Sequence, residues 1–252
     1  MEVGTSAPSE TVFLDSNYII YLSLFIKLCV TIGDDPANPS VLDRRALARH
    51  GINKSLLEMG RLKDGKKLFD YLAKEAQKGS EIVTSRFCEL EFLHLLLERQ
   101  ADKNLLSAGV PLRLRSKKHG LLYLNSLEPT DYAEVTLEYE QFKDKLSEHG
   151  IEVKILEETG EYERQIVETA KIVMGNIMID VPDAIVYAAA VTAEADEILS
   201  TDEALRMVAN HLKNPEAEPW TSIASTFIRK LGEQNVSLAE VPDLKLPEAK
   251  RL

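Results

Sequence analysis

The chain has 252 residues, 44% of them hydrophobic and 28% charged, and its 30 Lys and Arg against 41 Asp and Glu leave a formal net charge of −11. That composition can bury a sizeable core without disulfides or structural metal, while the negative balance argues against a protein that coats nucleic acid without regard to sequence. No run approaches the roughly 18–20 apolar residues of a membrane span, and Met1-Glu2-Val3-Gly4 lacks the basic-then-apolar pattern of a secretion signal, so a cytoplasmic protein is expected.

Residues 1–10 read as a flexible lead. Thr11-Val12-Phe13-Leu14 is a short β-branched and aromatic run stopping at Asp15-Ser16-Asn17, which predicts a buried strand ending in an acid. The nearly continuous apolar stretch from Tyr18 to Val30 predicts a buried helix. Turn residues crowd Gly33 to Ser40 and mark a loop. A weakly helical piece over 42–59 precedes an amphipathic helix over about 64–78.

Glu81-Ile82-Val83-Thr84-Ser85 predicts a second strand, with Ser85 placed to cap a helix from Arg86 to about Gln100. Residues 101–130 have no clear period and read as a loop or a pair of short helices. They contain the strongest basic run in the chain, Arg113-Leu114-Arg115-Ser116-Lys117-Lys118-His119; Arg44, Arg45 and Arg49 form a weaker group. Helices are expected over 131–149, 162–174, 183–195 and 203–212, and strands over 151–156 and 197–202. A last helix over 219–232 and an extended or mobile tail over 233–252 complete the reading.

Strands alternating with helices predict an α/β sandwich with a largely parallel sheet, helices on both faces and a crevice at the carboxyl ends of the strands. The chain from 11 to 232 is expected to be one domain, with helical insertions over about 31–78 and 101–130. Cys29 and Cys88 lie in apolar runs without metal-ligand spacing, so they read as buried thiols of a reducing compartment, and zinc is not indicated.

In this architecture Asp15 and Asp202 end two strands, and Asp183 starts a helix entering the same edge. Glu89 and Glu91 offer a fourth carboxylate from the helix after the second strand. Carboxylates brought together raise one another's pKa unless a cation neutralises them, and oxygen-only ligands favour Mg²⁺ or Mn²⁺. Taken singly, Asp15, Asp183 and Asp202 are equally good helix N-caps. Asp180 reads as a solvated loop residue and His94 as a surface histidine one turn from Glu91.

At these residues the sequence resembles the PIN-domain ribonucleases, a metal-dependent family that includes the toxins of many toxin-antitoxin pairs. The matching pieces are Val12-Phe13-Leu14-Asp15-Ser16-Asn17, Val83-Thr84-Ser85 with an acid shortly after, Pro182-Asp183-Ala184-Ile185-Val186-Tyr187-Ala188-Ala189-Ala190, and Leu199-Ser200-Thr201-Asp202. The resemblance covers about 11–30, 81–100 and 150–210. It implies a PIN-like α/β/α sandwich and endoribonuclease activity that leaves 5′-phosphate and 3′-hydroxyl ends. It also implies a centre of Asp15, Glu91, Asp183 and Asp202 holding Mg²⁺ or Mn²⁺, supported by Ser16, Asn17 and Ser200.

The family's Ser-to-Glu spacing selects Glu91 and its Glu-Leu pair selects Glu89; Glu91 is favoured because it shares a polar stripe with His94 and Glu98. Arg113, Arg115, Lys117 and Lys118 are candidate contacts to an RNA backbone. A small antitoxin-like partner and a homodimer are the associations the resemblance implies. The alternative is a non-catalytic PIN-like module binding RNA or protein. A phosphatase of the haloacid-dehalogenase type is disfavoured by the lack of a second Asp two residues after Asp15, and no GxGxxG or Walker motif is present.

Overall fold

The computed structural model describes residues 10–40, 42–43, 47, 49–50, 59–111, 126–156, 162–176, 179–203, 205–206, 209–210, 247–250 and 252. Strand β1 (Thr11–Leu14) leads into helix α1 (Ser16–Ile32), followed by α2 (Met59–Lys78), β2 (Glu81–Thr84), α3 (Arg86–Ser107), α4 (Pro129–Glu148), β3 (Val153–Ile155), α5 (Tyr162–Asn176), α6 (Val181–Thr192), β4 (Glu197–Leu199) and β5 (Glu248–Lys250). Among the described residues five strands form one sheet in the order β3-β2-β1-β4-β5, every pair parallel, flanked by six helices.

The α/β class, the parallel sheet and four of its strands are those expected from sequence. The fifth strand lies in the stretch read as tail: the backbone of Glu248–Lys250 pairs with that of β4, and the Asn210 side chain accepts from the Ala249 N–H and donates to its carbonyl. Residues 101–107, expected as a loop or a pair of short helices, continue α3 as one helix. Nothing in the local sequence stops the helix there, and Ala101 and Leu105 are buried by it. The helix expected over 219–232 and the basic run, including Arg113, Arg115, Lys117 and Lys118, lie outside the described residues, as do Arg44 and Arg45.

β1 is central because Val12, Phe13 and Leu14 are all fully buried, as a strand covered on both faces requires. Helix α1 packs along α2, with Gly65 facing the α1 backbone closely. A Cβ there would sit 2.3 Å from the Tyr21 carbonyl oxygen and 2.8 Å from Phe25 Cβ. Helix α5 packs on α6, turning Ile166, Ala170 and Val173 inward as their spacing predicts. Cys29 and Cys88 are buried free thiols, and burial pushes both up to about 12, which leaves neither a nucleophile at neutral pH. Among the described residues no helix is long and apolar enough to cross a membrane.

The strand order fixes where a ligand can enter. The chain builds β1, β2 and β3 outward in one direction, then returns to place β4 on the other side of β1. The switch point is therefore the gap between β1 and β4, and crevices in parallel sheets open there at the carboxyl ends. Asp15 follows β1 and Ser200 follows β4, so both residues flank that gap.

Candidate acidic centre

Asp15 is 3% exposed. It occupies the N-cap position of α1, yet its side chain makes no capping bond; the capping role that its position alone would allow is not the one it plays. Its carboxylate instead accepts from Ser200 Oγ at 2.6 Å and Ser16 Oγ at 3.2 Å, with Asn17 Nδ2 at 3.5 Å. Burial, the largest influence, raises its pKa; the serine hydroxyls oppose that rise and the Glu91 charge adds to it.

Ser16 joins two acids, since its hydroxyl also lies 2.7 Å from Glu91 Oε2. Glu89, two residues earlier, points to another part of the molecule and accepts from Tyr139 Oη on α4 at 2.5 Å. A step of two residues turns a helix by about 200°, so the two glutamates leave α3 on opposite sides. Of the pair, Glu91 is the one that joins Asp15. Ser85 caps α3 as expected, accepting from the Cys88 N–H. His94 is an exposed surface side chain, 3.3 Å from Glu98.

Asp183 stands in the first turn of α6, which starts two residues earlier than its sequence suggests. The N-cap is Asp180, whose Oδ1 accepts from the Asp183 N–H at 3.0 Å. Asp180 is thus a capping residue rather than a plain loop acid, and Asp183 is released from that task. Burial, and then the charges of Asp202, Asp180, Asp15 and Glu91, push the Asp183 carboxyl up to about 7. Asp202 does cap: its Oδ1 accepts from the Leu205 N–H, while its own N–H donates to Ser200 Oγ. Ser200 consequently ties Asp202 to Asp15.

The structure thus brings Asp15, Glu91, Asp183 and Asp202 into one electrostatic neighbourhood at the switch point, with Ser16, Asn17 and Ser200 supporting Asp15. Among the described residues, no three His, Cys, Asp or Glu side chains stand close enough to enclose an ion. The donor set still fits a hard cation. It is all oxygen, its charges oppose one another, and Mg²⁺ keeps several waters and needs only one or two carboxylates from a protein. No family model, curated protein or solved structure matches the chain.

Proposed function

We propose that the chain is a PIN-like, divalent-metal-dependent endoribonuclease whose acidic centre is formed by Asp15, Glu91, Asp183 and Asp202. The observation that carries the reading is Asp15 itself: a buried carboxylate at a helix start that caps nothing, bonded to two serines that each lead to a further acid. A purely structural Asp has no need of that surround. A buried carboxylate with like charges around it is costly unless something neutralises it, and a divalent cation is a species able to do so for Asp15 and the partly buried acids beside it.

Asp15 and Asp183 would hold Mg²⁺ or Mn²⁺, with Glu91 and Asp202 beside them. Bound there, such an ion stabilises charge on phosphoryl oxygens and makes a water more acidic. The chain's own contribution is orientation. Ser200 and Ser16 fix the Asp15 carboxylate, and the Ser16 hydroxyl holds Glu91 in the same frame. RNA phosphodiester hydrolysis would leave 5′-phosphate and 3′-hydroxyl ends.

The test is incubation of a mixed pool of structured RNAs with Mn²⁺, Mg²⁺ or EDTA, using wild type, Asp15→Asn and Asp183→Asn. Metal-dependent cleavage lost in both variants supports the reading. Absence of cleavage, together with no metal-induced rise in Tm, supports a non-catalytic PIN-like module instead. That second reading is favoured by one observation, the lack of an enclosed three-ligand group among the described residues.

A further inference from the structure

The last described residues reach the acidic centre from the edge of the sheet. β5 is short and polar, and Ala249 is its one buried side chain. Polar bonds hold it instead. The Glu248 N–H donates to the Asp196 carbonyl at 2.9 Å, Lys250 Nζ pairs with Glu197, and the Asn210 amide grips the Ala249 backbone from 39 residues away.

Two further bonds run inward, to the elements that carry the acids. The Ser200 N–H donates to the Lys250 carbonyl at 3.2 Å, and the Ser200 hydroxyl is the group that joins Asp15 to Asp202. The Leu252 N–H donates to Tyr18 Oη at 2.7 Å. Tyr18 is fully buried in the first turn of α1, where its own N–H donates to the Asp15 carbonyl. Residues 248–252 therefore touch both sides of the switch point, Ser200 after β4 and, through Tyr18, the helix start that follows Asp15.

We propose that residues 248–252 form a strap that opens and closes as one unit and, when closed, positions the acidic centre through Ser200. An edge segment with many polar bonds and little apolar burial opens at a lower free energy than the core, and β1, buried throughout, lies one strand further in. On opening, the Ser200 N–H loses the Lys250 carbonyl and Tyr18 Oη loses the Leu252 N–H. The Ser200 backbone is then no longer fixed from outside, and its hydroxyl loses the single orientation that serves Asp15 and Asp202 together. Lys250 and Leu252 act as positioning residues through their backbone atoms. The strap stands independently of the metal-centre reading; only its effect on metal binding rests on that reading.

The test is amide hydrogen exchange of the full chain, followed residue by residue by NMR. In wild type the Ser200 and Leu252 N–H groups are expected to share one opening equilibrium and to exchange more readily than the Asp15 N–H, which donates to the Leu199 carbonyl on the inner side of β4. Asn210→Ala removes two bonds from the strap and should speed Ser200 and Leu252 about tenfold, though neither amide bonds Asn210, with Asp15 unchanged. Tyr18→Phe keeps the shape of the core and removes the Leu252 acceptor; it should speed Ser200 and Ala249 in the same way. A Ser200 amide unmoved in both variants, or one that changes only in step with Asp15, overturns the strap. Because coupling between two equilibria is reciprocal, Mn²⁺ should slow exchange at Leu252 in wild type. Linked exchange of Ser200, Ala249 and Leu252 that Mn²⁺ leaves untouched would sink the metal-centre reading and leave the strap standing.

Discussion

Ser200 Oγ donates to Asp15 Oδ2 at 2.6 Å across a separation of 185 residues, and the same oxygen accepts from the Asp202 N–H. One buried hydroxyl thereby joins the ends of two adjacent parallel strands and orients two acids of the centre. Its backbone is itself fixed from outside, because the Ser200 N–H donates to the Lys250 carbonyl of the edge strand β5.

Replacing Ser200 by Ala removes a donor to a buried carboxylate and should destabilise the fold by about 1–3 kcal/mol, the cost of leaving such a group unsatisfied. If the centre binds metal, Mn²⁺ affinity should also fall roughly 10- to 100-fold, as it does when residues that orient ligands are lost. Thermal-shift titration with Mn²⁺ reads both effects.

Asp183 predicts a pH dependence of stability. Its carboxyl sits at about 7 in the fold against an ordinary 3.8, so the native state holds a proton that the unfolded chain releases. The stabilisation is full below about 3.8 and is lost as pH rises to about 7. Asp183→Asn should flatten this window and, at pH 8, raise stability by on the order of 1–2 kcal/mol, well below the full shift because the group is only half-buried. Mn²⁺ should flatten it in wild type. Melting curves from pH 4 to 8, with and without Mn²⁺, check both.

Asp131 acts with the opposite sign. Its carboxylate accepts from the Glu128 N–H at 2.7 Å and from the Gln100 and Asn104 amides. The Glu128 bond first, then Gln100, holds its pKa below the usual value. The stabilisation is present above the ordinary carboxylate range and is lost on acidification. Asp131→Ala should cost about 1–2 kcal/mol at pH 7, the loss of a helix cap plus a cross-helix contact, and should remove part of the acid sensitivity in urea titrations.

Two glycines of one helix should respond differently to alanine. At Gly65 the new methyl meets α1 backbone at 2.3 Å, whereas at Gly60 it meets nothing within 4 Å. Gly65→Ala should destabilise by about 1–3 kcal/mol through overpacking. Gly60→Ala should be neutral or stabilising by up to about 1 kcal/mol. Parallel melts of the two variants give the comparison.

Much of this protein was legible in its sequence. The run from Thr11 to Leu14, the alternation of strands with helices and the inward spacing of Ile166, Ala170 and Val173 each reflect a local period, and local periods decide elements. Proximity to a strand end likewise marked Asp15 and Asp202, and the start of a helix marked Asp183. Composition marked the thiols as buried.

The tertiary structure decided what local pattern leaves degenerate. An Asp at a helix start is cap or ligand according to what faces it, and Asp15 faces Ser200 from a distant strand while Asp202 caps its own turn. Glu89 and Glu91 are chemically alike and two residues apart, and only the placement of α1 and α4 sends one to Ser16 and the other to Tyr139. β5 is polar and three residues long, with no periodic signal of its own; it is a strand because β4 offers an unpaired edge. Sequence determined which groups could carry charge and which segments could bury themselves. Long-range packing determined which of those charges meet, because electrostatic and hydrogen-bond energies depend on distances that only the folded chain sets.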